Sequence, residues 1–260
     1  MLEGQRAPAD DDLDLRPLTA RSVLLSVLLG THPPRLAVQN LIRAGELFGI
    51  AEGTVRVALS RMAAEGEVEA ERGRYLLAER LVARQHRQDE GRRPPTRRWD
   101  GAWEMAVVRA ERRSEVDKKV LVELRLAELN PGVWTRPANL DRDWPEQVDG
   151  WTRRFAARPE GSSAELAGAL WDLDGWAKRA NALCTAFAET TNPAARFVVS
   201  AALLRHLTRD PLLPKELVAP TWPGDALRDA YRRFEEELSS LLSSASASAA
   251  LVVSETNRRR

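Results

Sequence analysis

Between Val38 and Leu77 the apolar positions change their period twice. Val38, Leu41, Ile42, Gly45 and Phe48 recur at the spacing of one helix face. Gly49 can take the left-handed conformation that closes such a helix. Val55, Ala58, Leu59 and Met62 then start a second apolar face. Opposite it lie Gly53, Arg56, Val57, Ser60 and Ala64, with Arg61 on the flank. Gly66 ends this helix, and Val68–Ala70 and Arg74–Leu77 read as two short strands around a Glu71-Arg72-Gly73 turn. Upstream, Val23–Leu29 is apolar nearly all round, which predicts a buried first helix. The order is that of a winged helix-turn-helix, whose second helix enters a DNA major groove. Helix-turn-helix shapes also serve as protein–protein modules, and that reading stays open on pattern alone.

The small Gly53, Ser60 and Ala64 would let the second helix approach a duplex closely. Arg56 and Arg61 suit phosphate and guanine contacts, and Arg72 and Arg74 put charge at the wing tip. Ala51 stands where a capping Ser, Thr, Asp or Asn is expected. The cap then lies elsewhere, at Thr54 with a later start, or the helix end is less stable.

The remaining pattern divides the chain into an acidic arm expected to be disordered (1–18), the winged helix (19–90), a basic proline-bearing linker GRRPPTRR (91–98), a middle unit (99–173), a helical unit (174–238) and a low-complexity tail (239–260). In the middle unit, Trp103–Val108 and Val133–Ala138 read as strands. Between them Ser114 is placed to cap a helix with Val116, Val120, Leu124 and Ala127 on one face. Arg153–Ala157 is a further candidate strand, and the whole suggests a small α+β sandwich. Trp176–Glu189, Ala194–Leu207 and a segment opening at Pro223-Gly224 read as long helices. The tail is expected to be mostly disordered or a frayed helix. The fold class is therefore α+β and mostly helical.

Charge sharpens this picture. The net charge is +1, but residues 1–19 carry −3, residues 20–98 carry +5 and the rest −1. Positive charge sits in the predicted DNA-binding unit, as an electrostatic footprint requires. The linker is either a solvated connection or a basic hinge that tracks phosphates. No run is long and apolar enough for a membrane span, and the N-terminus lacks signal-peptide features, so a cytoplasmic location without membrane contact is expected. Cys184 is the only cysteine, which excludes an intrachain disulfide; its apolar helical context suggests an inert side chain.

Enzyme motifs are missing. His32, His86 and His206 fall in no local catalytic pattern, and no HExxH, Walker or GxGxxG motif occurs. His206 falls near a helix C-terminus, where an imidazolium interacts favourably with the dipole. Asp100, just before the first middle strand, could be proposed for a metal-dependent nuclease, but one carboxylate is a poor magnesium site. No catalytic residue, metal or cofactor is expected. Seven of the eight tryptophans lie between residues 99 and 176. They fit either a packed core or an aromatic-lined cleft for an aryl group.

The runs SVLLSVLLGTHPPRL, LIRAGELFGIAEGTVRVALSRMAAEGEVEAERGRYLL and WDGAWEMAVV resemble the PaaX family, repressors of bacterial phenylacetate catabolism. The likeness continues through SEVDKKVLVELRLAELNPGVWTRPANL and LWDLDGWAKRANAL to RDPLLPKELVAPTWPGDALRDAYRRFEEEL. VRVALSRM and DPLLP…TWPGDA are specific together. The resemblance implies a ferredoxin-like middle domain and a homodimeric repressor of double-stranded operator DNA. It also implies an aryl-CoA effector, phenylacetyl-CoA above all. Trp134, Arg136, Arg153 and Arg154 are the candidate effector residues, with Arg142 nearby to meet the phosphates of coenzyme A. A regulator answering another small molecule, or none, is the alternative; a nuclease on the ferredoxin-like unit is the remote one.

Overall fold

A computed structural model describes residues 13–109 and 114–258, with residues 243–258 described by backbone alone. The N-terminal unit holds α1 (Ala20–Leu29), β1 (Arg35–Ala37), α2 (Val38–Glu46), α3 (Glu52–Ala64), β2 (Val68–Glu71), β3 (Arg74–Leu77) and α4 (Glu79–Arg92). Thr19 and Ser22 form a reciprocal capping box at the start of α1. The hairpin has a third strand, because β1 pairs antiparallel with β3 in the order β1-β3-β2.

The middle unit runs β4 (Trp103–Val108), α5 (Glu115–Glu123), β5 (Ala127–Asn130), β6 (Val133–Pro137), α6 (Glu146–Asp149), β7 (Thr152–Ala157) and α7 (Ser163–Leu170). Its antiparallel sheet has the order β5-β6-β4-β7. Helix α5 covers one sheet face through Leu121 beside Ala106 and Trp134. Trp103, next in line to Glu104, points to the other face and packs on Ala167 of α7. Ser114 does cap α5, accepting from the Asp117 N–H. The expected apolar face is turned, however: Val116 is exposed, Leu121 is buried, and Ala127 belongs to β5.

Helices α8 (Leu173–Glu189), α9 (Pro193–Leu207) and α10 (Gly224–Arg258) complete the chain. Asn192 caps α9 with Pro193 in its first turn. The tail expected to be disordered instead continues α10 to Arg258; its many alanines are the best helix formers.

Helix α1 divides between two cores, which explains why it is apolar all round. Leu24, Leu25, Leu28 and Leu29 pack with Leu41, Val55, Leu59 and Met62 inside the N-terminal unit. Val23 and Val27 face the other way and join Phe187, Phe197, Leu203 and Phe234 of the C-terminal helices. Phe48 meets Phe197 edge-on at 4.8 Å. The two units therefore share buried apolar surface, the dominant favourable term in folding.

The segments on either side of the first unit depart from their expected roles. Leu13 is buried in the shared core, Leu15 and Leu18 pack against it, and Asp14 pairs with Arg205, so residues 13–18 are docked. Residues 1–12 of the expected arm lie outside the described residues. The linker is partly helix, since α4 runs to Arg92. Gly91 is needed there for close approach rather than as a breaker: a Cβ would sit 2.9 Å from the Leu207 carbonyl oxygen of α9. Farther on, the Arg97 N–H donates to the Asn139 carbonyl and Thr96 bridges Leu140.

Candidate nucleic-acid interface

Helices α2 and α3 meet at Gly45, where a Cβ would lie 2.5 Å from Val55 Cγ2. Gly49, at φ +71°, makes the turn between them. Val55, Leu59 and Met62 are buried beneath α3. Gly53, Thr54, Arg56, Val57, Ser60, Arg61 and Ala64 are all exposed. Val57 shows half its surface, an apolar group in the middle of an otherwise polar face. Gly53 faces open space: a Cβ there would meet nothing within 4 Å.

The helix begins at Glu52 with Ala51 as an uncapped N-terminal residue, so Thr54 lies in the first turn rather than at the cap. Glu52 compensates in part, because a carboxylate in the first turn favours the helix dipole. It also accepts from Arg56 at 2.6 and 2.8 Å, in the favourable i, i+4 orientation. At the other end, the Arg80 guanidinium donates to the carbonyls of Glu65 and Gly66 at 2.9 and 2.8 Å. These bonds occupy acceptors that a helix C-terminus leaves open.

The wing turn has φ +44° at Arg72 and +80° at Gly73. Two left-handed residues in a two-residue loop match the right-handed twist of the flanking strands. Arg72 and Arg74 are exposed at its tip. Among the described residues, Arg61, Arg72 and Arg74 make no ion pair. Arg35, on the exposed end of β1, lies two positions along the same small sheet from Ala37, which faces Arg74. Strand β1 leaves no sign in the sequence pattern, because a strand of three residues after Pro33-Pro34 has no periodic signal.

Three of the four candidate effector residues share one sheet face: Trp134 and Arg154 flank Ala106, and Arg136 and Arg154 both lie over the Trp144 ring, at 5.7 and 5.1 Å. Trp134 is buried beneath α5. Arg136 is buried opposite Glu104, its Nε donating to Glu104 Oε2 at 2.8 Å and its Nη1 to the Leu124 carbonyl at 3.0 Å. Desolvation lowers its pKa, and Glu104 opposes that shift. Arg154 is exposed, paired with Asp149 at 2.9 Å and stacked over Trp144 at 5.1 Å. Arg153 precedes it in a strand and so points to the opposite sheet face. Arg142 reaches inward to Glu90 of α4.

The other singled-out groups are engaged structurally. Asp100 accepts from the Ala102 N–H at 2.9 Å and pairs with Arg158 at 3.0 Å; the Ala102 bond, with help from Arg158, lowers its pKa. No group of three or more His, Cys, Asp or Glu among the described residues could hold a metal ion. His206 Nε2 donates to the Trp176 carbonyl at 2.9 Å, and its ring stacks on Trp176 at 4.5 Å. Burial pushes its pKa below the ordinary value, which favours neutral imidazole rather than the imidazolium expected at a helix end. Burial likewise pushes the Cys184 thiol up, away from the reactive thiolate. No helix among the described residues is long and apolar enough to cross a membrane.

Comparison with known proteins adds two kinds of likeness. Residues 19–81 match the family model described as PaaX-like protein, and residues 171–248 match that of the PaaX-like protein C-terminal domain. A solved structure, "Uncharacterized protein Rv0674 from Mycobacterium tuberculosis", is similar with 44% sequence identity and a TM-score of 0.74. The alignment covers 88% of this chain and 99% of that one. No curated protein matches the chain.

Proposed function

The chain belongs to the PaaX-like family, and from that premise we propose that it is a sequence-specific DNA-binding regulator of transcription, not an enzyme. One observation carries the reading: α3 buries Val55, Leu59 and Met62 while its whole outer face is open to solvent beside an arginine-tipped hairpin. In this reading the N-terminal unit is a winged helix and α3 enters the major groove. Gly53 and Ser60 allow close approach, and Thr54, Arg56 and Arg61 contact bases or phosphates. Val57 offers methyl groups to a thymine methyl. Arg72 and Arg74 bring the wing to the backbone, where charge sets affinity and its salt dependence.

The middle unit is read as a ferredoxin-like domain. Its β-α-β-β-α-β order and the strand order β5-β6-β4-β7 support that assignment. The family resemblance further supports a homodimer on an inverted-repeat operator. By the same resemblance it is a repressor of an aromatic-acid catabolic operon, released by a CoA thioester such as phenylacetyl-CoA. A thioester can release DNA only by its differential affinity for two states of the protein.

A gel-shift titration against the gene's own upstream DNA, with and without phenylacetyl-CoA, tests this function. A specific shift reversed by the thioester but not by free phenylacetate is expected. A specific shift indifferent to the thioester would return the effector to unknown, and no specific shift would remove the regulator reading.

A further inference from the structure

The seam between the N-terminal unit and the C-terminal helices contains a cavity of about 200 Å³. Its walls come from α1 and α4 on one side and α9 and α10 on the other. The floor is apolar and largely aromatic, with Phe234 in ring contact with both Phe197 and Tyr231. The same three rings also line a cavity of about 340 Å³ on their other side, against α2. Protein interiors are ordinarily close-packed with few such voids. A dry apolar cavity of roughly 150 Å³ is enough to hold benzene.

The rim is the opposite in character. Arg16, Arg21, Arg84 and Arg205 are the charged residues lining this cavity. Asp14 is shared between Arg16 and Arg205, and Glu67 pairs with Arg21. Among the described residues, Arg84 makes no salt bridge, although the Glu67 carboxylate is near enough to act on its charge. Desolvation first, then the nearby Arg21 and Arg87, lower the Arg84 pKa, while Glu67 opposes the shift; the residue itself is exposed at the cavity mouth. Four guanidiniums therefore face two carboxylates around an aromatic floor.

We propose that this seam cavity is a ligand site for an amphipathic anion, its planar apolar group on Phe197, Tyr231 and Phe234 and its carboxylate or phosphate on the arginine rim around Arg84. The proposal places the effector site away from Trp134, Arg136, Arg153 and Arg154, of which Trp134 and Arg136 are buried and Arg136 and Arg154 are already paired with Glu104 and Asp149. Its regulatory purpose rests on the regulator reading above. A ligand wedged between α1 and α9 bears on one of the surfaces that fix the DNA-binding unit to the rest of the chain. Binding there biases that orientation wherever the two orientations hold the ligand unequally.

The test is calorimetric titration of the full chain, without DNA, using phenylacetyl-CoA, phenylacetate and coenzyme A as separate probes. Binding of phenylacetyl-CoA alone identifies a phosphate-borne anion, and comparable binding of phenylacetate identifies a carboxylate; either supports the site. Arg84→Ala, which breaks no ion pair, should weaken binding about tenfold or more, the scale of one charged hydrogen bond, and Arg84→Lys should recover part of it. Ala201→Trp, which fills the cavity from α9, should abolish binding. Thermal melts of each variant separate a blocked cavity from a fold that has failed. Arg153→Ala and Arg154→Ala should leave affinity unchanged. The proposal is overturned if the unaltered chain binds no probe, if Arg84→Ala and Ala201→Trp both bind normally, or if Arg154→Ala alone abolishes binding. The gel shift on the same samples reads the regulator proposal independently, since a chain that binds ligand but no DNA keeps the site and loses the function.

Discussion

Arginines on α3 and the wing differ sharply from those at the junctions between units. Arg61, Arg72 and Arg74 stand in solvent, and Arg56 has only an exposed pair with Glu52. Arg125 and Arg136 are buried, and Arg92 nearly so; each is held by carboxylates from distant segments. Glu90 of α4 accepts from Arg125 at 3.1 Å and from Arg142, and Arg125 also donates to the Thr208 carbonyl at 2.5 Å. Arg92 joins Asp89 to Glu235 of α10. One residue type thus does two jobs, and exposure separates them. An exposed guanidinium keeps its charge available to a partner, while a buried one is already committed and becomes costly if abandoned.

The largest expected effect comes from breaking the buried set. Glu104→Ala strands Arg136 in a dry core, and should cost about 3–5 kcal/mol of stability in urea denaturation. Replacing both partners by apolar residues of similar volume should restore most of that loss. An unchanged midpoint in the single variant would erase the distinction between the two populations. Next, Arg56→Ala should leave the urea midpoint nearly unmoved and weaken operator binding by about 1–3 kcal/mol if Arg56 reads a base. Operator affinity equal to that of the unaltered protein would remove α3 as the reading helix.

A smaller effect is expected at the wing. Arg72→Ala should weaken all DNA sequences alike and lower the log–log salt slope by about 1; loss confined to one operator sequence would mean that the wing reads bases. The smallest effect concerns acid. Burial pushes the Asp14 carboxyl up, but hydrogen bonds from Arg16 and Arg205 outweigh it and hold the carboxyl below its ordinary value of 3.8. Its contribution to stability is present above that value and lost as pH falls through the lower folded-state value. Asp14→Asn should therefore flatten the stability profile below pH 4, seen in urea midpoints taken across the acid range.

The α2–α3 hairpin and the wing were legible because their determinants are local. Gly49, Gly66 and Gly73 each adopt the positive φ that their place in a turn requires, and the apolar period names the buried face. The arrangement of the effector candidates was not legible, for a non-local reason. Arg153 and Arg154 are neighbours in sequence yet part to opposite faces of β7, and Arg136 turns inward because register sets it opposite Glu104. Nothing near Arg136 in the chain announces that carboxylate. Gly91 misled in the same way: its neighbour is Leu207, far along the chain. In the tail, serine and alanine richness suits disorder and helix alike, and α10 takes the second course.

The divided allegiance of α1 has a consequence for engineering. A DNA-reading module joined to its body by a flexible tether can be grafted onto another protein as a cassette. Here Val23, Val27 and Ala44 are covered by Phe197, Leu203 and their neighbours, so cutting after α4 would leave a greasy scar on the detached piece. Changing what this protein reads therefore calls for editing side chains along α3 in place, within the intact chain.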